Sequence, residues 1–110
     1  MALSGFPSSM VFDANGCTGG YTLINSGQTD LVIKIRTSNN VQYVFRPVHA
    51  FIRSGSTKHI EIIRKKGPPQ KDKFIIQYSA APKGATKDPQ SAFSASKMLG
   101  SLTVALHALP

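Results

Sequence analysis

Apolar and polar residues alternate with a period of two along most of this chain, and this alternation constrains the fold more than any other feature. The clearest case is residues 31–37, LVIKIRT, in which three aliphatic residues share the face opposite Val32, Lys34 and Arg36. Successive side chains of a β-strand point to opposite faces, so such a segment has one buried face and one solvent face. Gly, Pro, Asn and Ser separate the alternating runs. The pattern predicts an all-β chain with little helix.

Seven short strands are predicted in this way. They are 8–14, 21–26, 31–37, 41–46, 57–63, 73–80 and 101–109. The segment NGCTGG (15–20) is predicted as a turn, because Asn and Gly tolerate positive φ. Seven strands in a chain of 110 residues are typical of an immunoglobulin-like antiparallel sandwich that forms one domain over residues 1–110.

Two prolines refine this interpretation. Pro47 interrupts the run from 41 to 53, and because proline has no N–H for a ladder, we expect an edge strand that bends there and changes sheets. Pro89 follows Asp88 as a first helical residue follows its N-cap. After a loop over 81–89, the sequence therefore predicts one or two helical turns that end before Gly100.

The charge of the chain favours acidic partners. It carries 13 Lys and Arg residues against 5 Asp and Glu residues, a net charge of +8. Such a surface attracts acidic proteins, acidic lipids and nucleic acid. The first residues have no basic region followed by an apolar run, so they do not resemble a secretory signal, and we expect a cytoplasmic protein without a membrane anchor.

No pattern indicates catalysis. The five acids lie on different predicted strands and turns, and the histidines at 49, 59 and 107 have no metal-binding spacing. Cys17 is the single cysteine, which excludes an internal disulfide and a thiolate cluster. We expect no enzyme activity, no metal site and no cofactor.

The outward residues of two strands form the candidate binding site. In a sandwich of this topology, strands 31–37 and 73–80 are expected to be neighbours in one sheet. Their outward side chains would then form a basic surface with an apolar centre and free hydroxyl groups, which suits an extended acidic peptide. The alternative is a set of ordinary solvated charges on a sheet face. We call this predicted site the basic strip; it comprises Lys34, Arg36, Thr37, Ser38, Lys73 and Ile75.

A second basic group lies in the turn RKKGPPQKDK. Gly67, Pro68 and Pro69 do not continue a ladder, so this segment is predicted as a solvated turn between two strands. Its role would be electrostatic steering of anionic partners. The steering residues are Arg64, Lys65, Lys66 and Lys71.

The sequence as a whole resembles the major sperm protein domain, which is shared by nematode sperm cytoskeletal proteins and the VAMP-associated proteins. The segments INS, LVIKIRTSNNVQYVFRP, FIRSGST and KDKFIIQYSAAP, with a last strand that ends at Leu109-Pro110, follow the family pattern in order. The resemblance covers nearly the whole chain and is closest to the VAMP-associated branch, with its K-V-K-T-T and R-Y-x-V-R-P strands.

The resemblance implies a non-catalytic, PapD-like sandwich that binds proteins. In the VAMP-associated branch the domain binds acidic peptides with two phenylalanines. The positions that match that groove are Arg36, Ser38, Lys73 and Ile75, whereas a family lysine corresponds to Ser101 here. The loop over 64–73 is shorter than in either branch. We expect no membrane anchor after Pro110, in which case the chain would be more similar to the small sperm-specific nematode proteins.

Three functional hypotheses follow. The first is an accessory or regulator of the motile sperm cytoskeleton, with self-association through sheet edges possible. The second is an adaptor for acidic peptides that contain phenylalanine. The third is non-specific nucleic-acid binding, which would need exposed stacking aromatics, whereas the aromatic residues at 43, 45, 74 and 78 alternate as core residues do. No specific nucleic acid is therefore expected as a partner.

Overall fold

The computed structural model describes residues 3–82 and 88–110, and the predicted loop over 81–89 lies partly outside these residues. The described chain forms nine strands and one short helix. These elements are β1 (Leu3–Phe6), β2 (Ser9–Asp13), β3 (Cys17–Asn25), β4 (Leu31–Thr37), β5 (Tyr43–Arg46), β6 (His49–Ile52), β7 (Thr57–Arg64), β8 (Gln70–Ala80), α1 (Pro89–Ser94) and β9 (Met98–Leu109).

The strands form two sheets. One has four strands in the order β1-β3-β7-β5, and the other has five in the order β2-β9-β8-β4-β6. The predicted all-β, immunoglobulin-like sandwich is confirmed. The strand count differs from seven because β1 was not predicted and because the short β6 follows β5 as a separate strand. One pair also departs from the antiparallel expectation, since β2 runs parallel to β9.

The inner faces of the two sheets share one hydrophobic core. Phe74 of β8 lies near its centre and is 0% exposed. Its ring centroid is 5.2 Å from that of Tyr21 and 5.1 Å from that of Phe45. Both partners belong to the four-stranded sheet, so this aromatic group joins the two layers.

The change of sheet at Pro47 is confirmed. β5 pairs with β7 at the edge of the four-stranded sheet, whereas β6 pairs with β4 at the edge of the five-stranded sheet. The Arg46–Pro47 peptide bond is cis. The two strand pairings show that the chain passes from one layer to the other between Arg46 and His49.

Three strands begin earlier than predicted, and one of them is β9, which starts at Met98 instead of residue 101. Cys17–Gly20 belongs to β3, because these residues pair with β7 from Arg64 to Glu61, and only the turn before them remains, with Gly16 at φ 119°. β8 begins at Gln70 instead of residue 73, because Gln70–Asp72 pairs with the end of β9. Cross-strand pairing outweighs the turn propensity of Gly and Asn here.

The helix starts where it was predicted and ends earlier. The Asp88 carboxylate caps it by accepting from the Ser91 N–H at 2.9 Å. Gly100 does not end the helix, because it lies in β9 opposite Tyr78, whose hydroxyl stands 2.7 Å from where a Cβ of residue 100 would be. No helix in the described part of the chain is long and apolar enough to cross a membrane.

Helix α1 packs on the outer face of the five-stranded sheet, against β4 and β6. It covers Val32, which is 0% exposed although it points away from the core between the sheets. The expectation that the whole outer face of β4 is wet is therefore wrong at this end of the strand. The solvent face begins at Lys34.

Candidate functional site

The two strands of the basic strip are neighbours, as predicted. β4 and β8 pair antiparallel, which places Arg36 opposite Ile75 and Lys34 opposite Gln77. Beyond the end of β4, the Ser38 N–H donates to the Lys73 carbonyl oxygen at 3.1 Å. Arg36 and Lys73 are both exposed on the outer face, so their charges act on the same volume of solvent.

Hydrogen bonds and packing order part of the strip. The Arg36 Nε donates to the Gln77 Oε1 at 2.9 Å, which holds the guanidinium against the sheet. Lys34 lies opposite His49 of β6, and the His49 ring packs on that of Phe93 in α1 at 6.4 Å. Burial, with a smaller contribution from Lys34, lowers the pKa of His49. The imidazole is thus neutral near pH 7 and adds no charge to the strip.

The two hydroxyl groups of the strip are not free, which corrects the prediction. The Thr37 Oγ1 donates to the Lys73 carbonyl oxygen at 3.1 Å. The Ser38 Oγ accepts from the Lys73 N–H at 3.1 Å and donates to the Asp72 Oδ1 at 3.2 Å. Both hydroxyl groups form these bonds because β4 ends at Thr37. Beyond that point, side chains supply hydrogen-bond partners for backbone groups that the strand ladder no longer pairs.

Asp72 anchors this turn. Its carboxylate also accepts from the Asn39 Nδ2 at 3.0 Å and the Gln70 Nε2 at 2.7 Å. Burial alone would raise the pKa of Asp72, but the hydrogen bonds from Gln70, Asn39 and Ser38 outweigh it and hold the pKa below its ordinary value of 3.8. The carboxylate is therefore ionised at neutral pH and fixes the backbone that presents Lys73.

Arg64 is the clearest correction among the predicted residues. It was predicted to be solvated, but it ends β7 and is 1% exposed. Its guanidinium lies over the Tyr43 ring at 5.1 Å, and its Nη2 donates to the Pro68 carbonyl oxygen at 2.8 Å. A buried cation beneath the turn does not face a partner. Lys65, Lys66 and Lys71 are exposed.

A groove adjoins the strip on the side of β4 away from β8. It exists because β6 pairs with β4 only as far as Lys34, whereas the neighbouring β5 belongs to the other sheet. The groove has a volume of about 430 Å³. Lys34 and Arg36 form its basic rim, and its apolar lining includes Val44, Phe45 and Val48.

The groove was not predicted from the sequence. Tyr43 and Phe45 were assigned to the core by their alternation, and both are indeed buried, although they also line the groove. The sequence signal that could have revealed the groove is Pro47, because a strand that ends early leaves the edge of its neighbour uncovered. An apolar cavity of this size with a cationic rim suits the side chain of an acidic peptide.

Other chemistry has little support. Within residues 3–82 and 88–110, no three His, Cys, Asp or Glu side chains are placed to hold a metal ion. Ser101 is exposed and lies opposite Gln77, at the margin of the strip. Ser101 therefore places a hydroxyl group at the position where the VAMP-associated family has a lysine.

Known proteins match this chain over most of its length. Residues 2–99 match the family model of the MSP (Major sperm protein) domain. The chain is 34% identical over 108 residues to Sperm-specific class P protein 19 of Caenorhabditis elegans. The matched region covers 98% of this chain and 98% of that protein. The solved structure of SSP-19, an MSP-domain protein like family member from that organism, superposes with a TM-score of 0.93 at 32% identity, covering 97% of this chain and 99% of the other.

The fold is also similar to that of a more distant domain. The PapD-like domain 7 of human CEP192 superposes with a TM-score of 0.60 at 9% identity, covering 98% of this chain and 85% of that one. At this identity the likeness concerns the fold alone. It confirms the PapD-like, immunoglobulin-like architecture.

Proposed function

Because the chain belongs to the MSP (Major sperm protein) domain family, we propose that it is a non-enzymatic protein-interaction domain that acts as an accessory or regulator of the motile cytoskeleton of nematode sperm. It binds its partner through the basic strip, in the cytoplasm of the sperm cell. The relatives at 34% identity are named as sperm-specific proteins, which supports the cellular setting.

The observation that carries this proposal is the common face of Arg36, Ile75 and Lys73. Two exposed cations flank a half-buried isoleucine on adjacent strands, and the ionised Asp72 fixes the turn beside them. A preorganised face loses little conformational entropy on binding. Exposed cations on such a face mainly set the association rate and the specificity for acidic surfaces.

The double substitution Arg36→Glu and Lys73→Glu tests the proposal. Bait carrying the natural sequence is expected to recover major sperm protein from nematode sperm lysate, and the doubly substituted bait to recover at least about 10-fold less, because reversal of both charges repels an acidic surface. Recovery is measured by quantitative immunoblotting.

The matched control is Arg53→Glu with Lys97→Glu. It changes the net charge equally, at two exposed positions away from the strip. If both double variants lost recovery of major sperm protein equally, the effect would come from net charge alone and not from the strip. Failure to recover any sperm cytoskeletal protein would contradict the proposed role.

The groove favours a second candidate function, recognition of acidic peptides that contain phenylalanine. An aromatic ring of the peptide would enter the apolar cavity beside Phe45 and Val48, while acidic residues meet the rim. Buried aromatic anchors in small pockets dominate such interfaces. Lys73, further along the same face, would meet the acidic tract.

Lys73→Glu is expected to weaken binding of such a peptide about 10-fold, and higher salt is expected to weaken it further. A labelled acidic peptide with two phenylalanines is titrated, and fluorescence anisotropy gives the dissociation constant. Val48→Asp should also abolish the contribution of the groove, whereas Val11→Asp on β2 serves as the matched control. Affinity that is unchanged by both Lys73→Glu and Val48→Asp would remove this candidate.

A further inference from the structure

One end of the sandwich gathers four segments of the chain. These are the turn after β2, the β4–β5 connection, the turn between β7 and β8, and the last residues of the chain. Backbone hydrogen bonds join them: the Lys65 N–H donates to the Gln42 carbonyl oxygen at 2.6 Å, Gly67 to Ala14 at 3.0 Å, and Ala14 to Leu109 at 2.8 Å. The four segments therefore form one continuous surface.

This surface, which we call the basic end, carries exposed apolar side chains. Val41 is 67% exposed and Leu109 is 51% exposed, and Pro68 and Pro69 of the β7–β8 turn are also exposed. None of the four lines the groove. Val41, Pro68 and Pro69 lie on connections between strands, and Leu109 is the last residue of β9, so these side chains project from the tips of strands and turns at this end.

Cations surround these apolar groups. Lys65, Lys66 and Lys71 are exposed and belong to the same turn or to the first residues of β8. Two acids lie nearby: Asp13, whose Oδ1 accepts from the Asn15 N–H at 2.9 Å, and Asp72, which accepts from three side chains. The three exposed lysines outnumber these two carboxylates, so the outward charge of this end is positive.

We propose that the basic end binds an acidic lipid surface. Apolar side chains on convex tips penetrate the boundary between head groups and acyl chains, and lysines around them meet anionic head groups. Each lysine close to such a surface strengthens binding about five-fold. The protein would lie on the membrane surface without spanning it, since only turns and side chains of the basic end enter the head-group region.

The shape favours a membrane over an acidic protein at this end. Protein and peptide ligands of this kind bury anchors in concave pockets, and the groove that offers one here is lined by residues of β4, β5 and their connections. The basic end presents prolines and single apolar residues on protruding turns instead.

Cosedimentation with vesicles tests the proposal. Vesicles of phosphatidylcholine with about one third phosphatidylserine are expected to bind the protein, and phosphatidylcholine vesicles alone to bind it at least about 10-fold more weakly. Lys65→Glu with Lys66→Glu should reduce the partition constant by at least about 20-fold, and Val41→Asp by about five-fold or more.

The controls match both kinds of change. Arg53→Glu with Lys97→Glu alters the same net charge at exposed positions outside the basic end, and Leu99→Asp places an acid at a residue that is 59% exposed at the opposite end of β9. Leu99→Asp is expected to bind the acidic vesicles within about two-fold of the natural protein. The double charge variant is expected to do the same at near-physiological salt, at which screening removes most of the effect of overall net charge.

Three results would overturn the proposal. The first is no binding to the acidic vesicles, and the second is an equal loss for the basic-end variants and their controls. The third is binding to soluble polyglutamate that depends on Lys65 and Lys66, together with vesicle binding that Val41→Asp leaves unchanged. That last pattern would assign the basic end to an acidic protein.

Discussion

Phe74→Ala is expected to lower the free energy of unfolding by about 3–5 kcal/mol, the range found when a fully buried aromatic ring is removed from a packed core. The ring touches Tyr21 and Phe45 of the opposite sheet, and these neighbours are themselves buried. They cannot collapse into the space without moving two strands, so most of the cavity remains.

Denaturant unfolding at equilibrium measures this loss, with Ile75→Ala as the matched control. Ile75 is the next residue of the same strand, but it points to the outer face and is half-buried. We expect its truncation to cost about 1 kcal/mol or less. Similar costs for the two variants would contradict the assignment of inner and outer faces on β8.

Arg64→Ala is expected to cost about 2–4 kcal/mol, whereas Arg64→Met should remain within about 1 kcal/mol of the natural protein or be more stable. The alanine leaves a cavity beside Tyr43, which the guanidinium now covers at 5.1 Å. Methionine fills much of that space. It also removes a buried cation whose Nε and Nη1 have no hydrogen-bond partner among the described residues.

Thermal and denaturant unfolding of both variants measures this difference, and Lys66→Ala in the adjacent turn is the control. Lys66 is exposed, so its truncation should change stability by no more than about 0.5 kcal/mol. If Arg64→Met were destabilised as much as Arg64→Ala, the charge of Arg64 would be required. Its role would then exceed packing on Tyr43 and the bond to Pro68.

The proximity of Arg64 to Tyr43 has a chemical consequence for the groove. Burial raises the pKa of the Tyr43 hydroxyl, and the opposing effect of Arg64 does not reverse this. Tyr43 is therefore neutral at any pH at which the protein would bind a peptide. The groove floor stays uncharged, while its rim carries Lys34 and Arg36.

Pairing of the two strip strands was predictable from the topology of the sandwich, and their outward faces were predictable from a pattern with period two. Residues 31–37 and 73–80 each alternate clearly, and a strand of this kind has one possible buried face. The structure confirms that β4 and β8 are neighbours, with Arg36 opposite Ile75. The roles of the strip residues in binding stay a prediction.

The errors fall where alternation does not decide the outcome. A hydroxyl at Thr37 or Ser38 alternates in the same way whether it faces solvent or bonds to the backbone of β8. Val32 was assigned to a wet face because nothing in its own strand shows that α1, nearly sixty residues later, packs over it. Both outcomes depend on neighbours that are distant in the chain.

The amino-acid sequence by itself determined the all-β class, the face of each long strand, the bend at Pro47 and the excess of cations. These are local properties, set by side-chain alternation and by the missing proline N–H. Only the tertiary structure decided that Arg64 is buried while Lys65 is exposed, and that the short β6 leaves part of the β4 edge uncovered, which opens a groove. Burial and concavity depend on which distant segments meet, and packing between the two sheets sets those contacts.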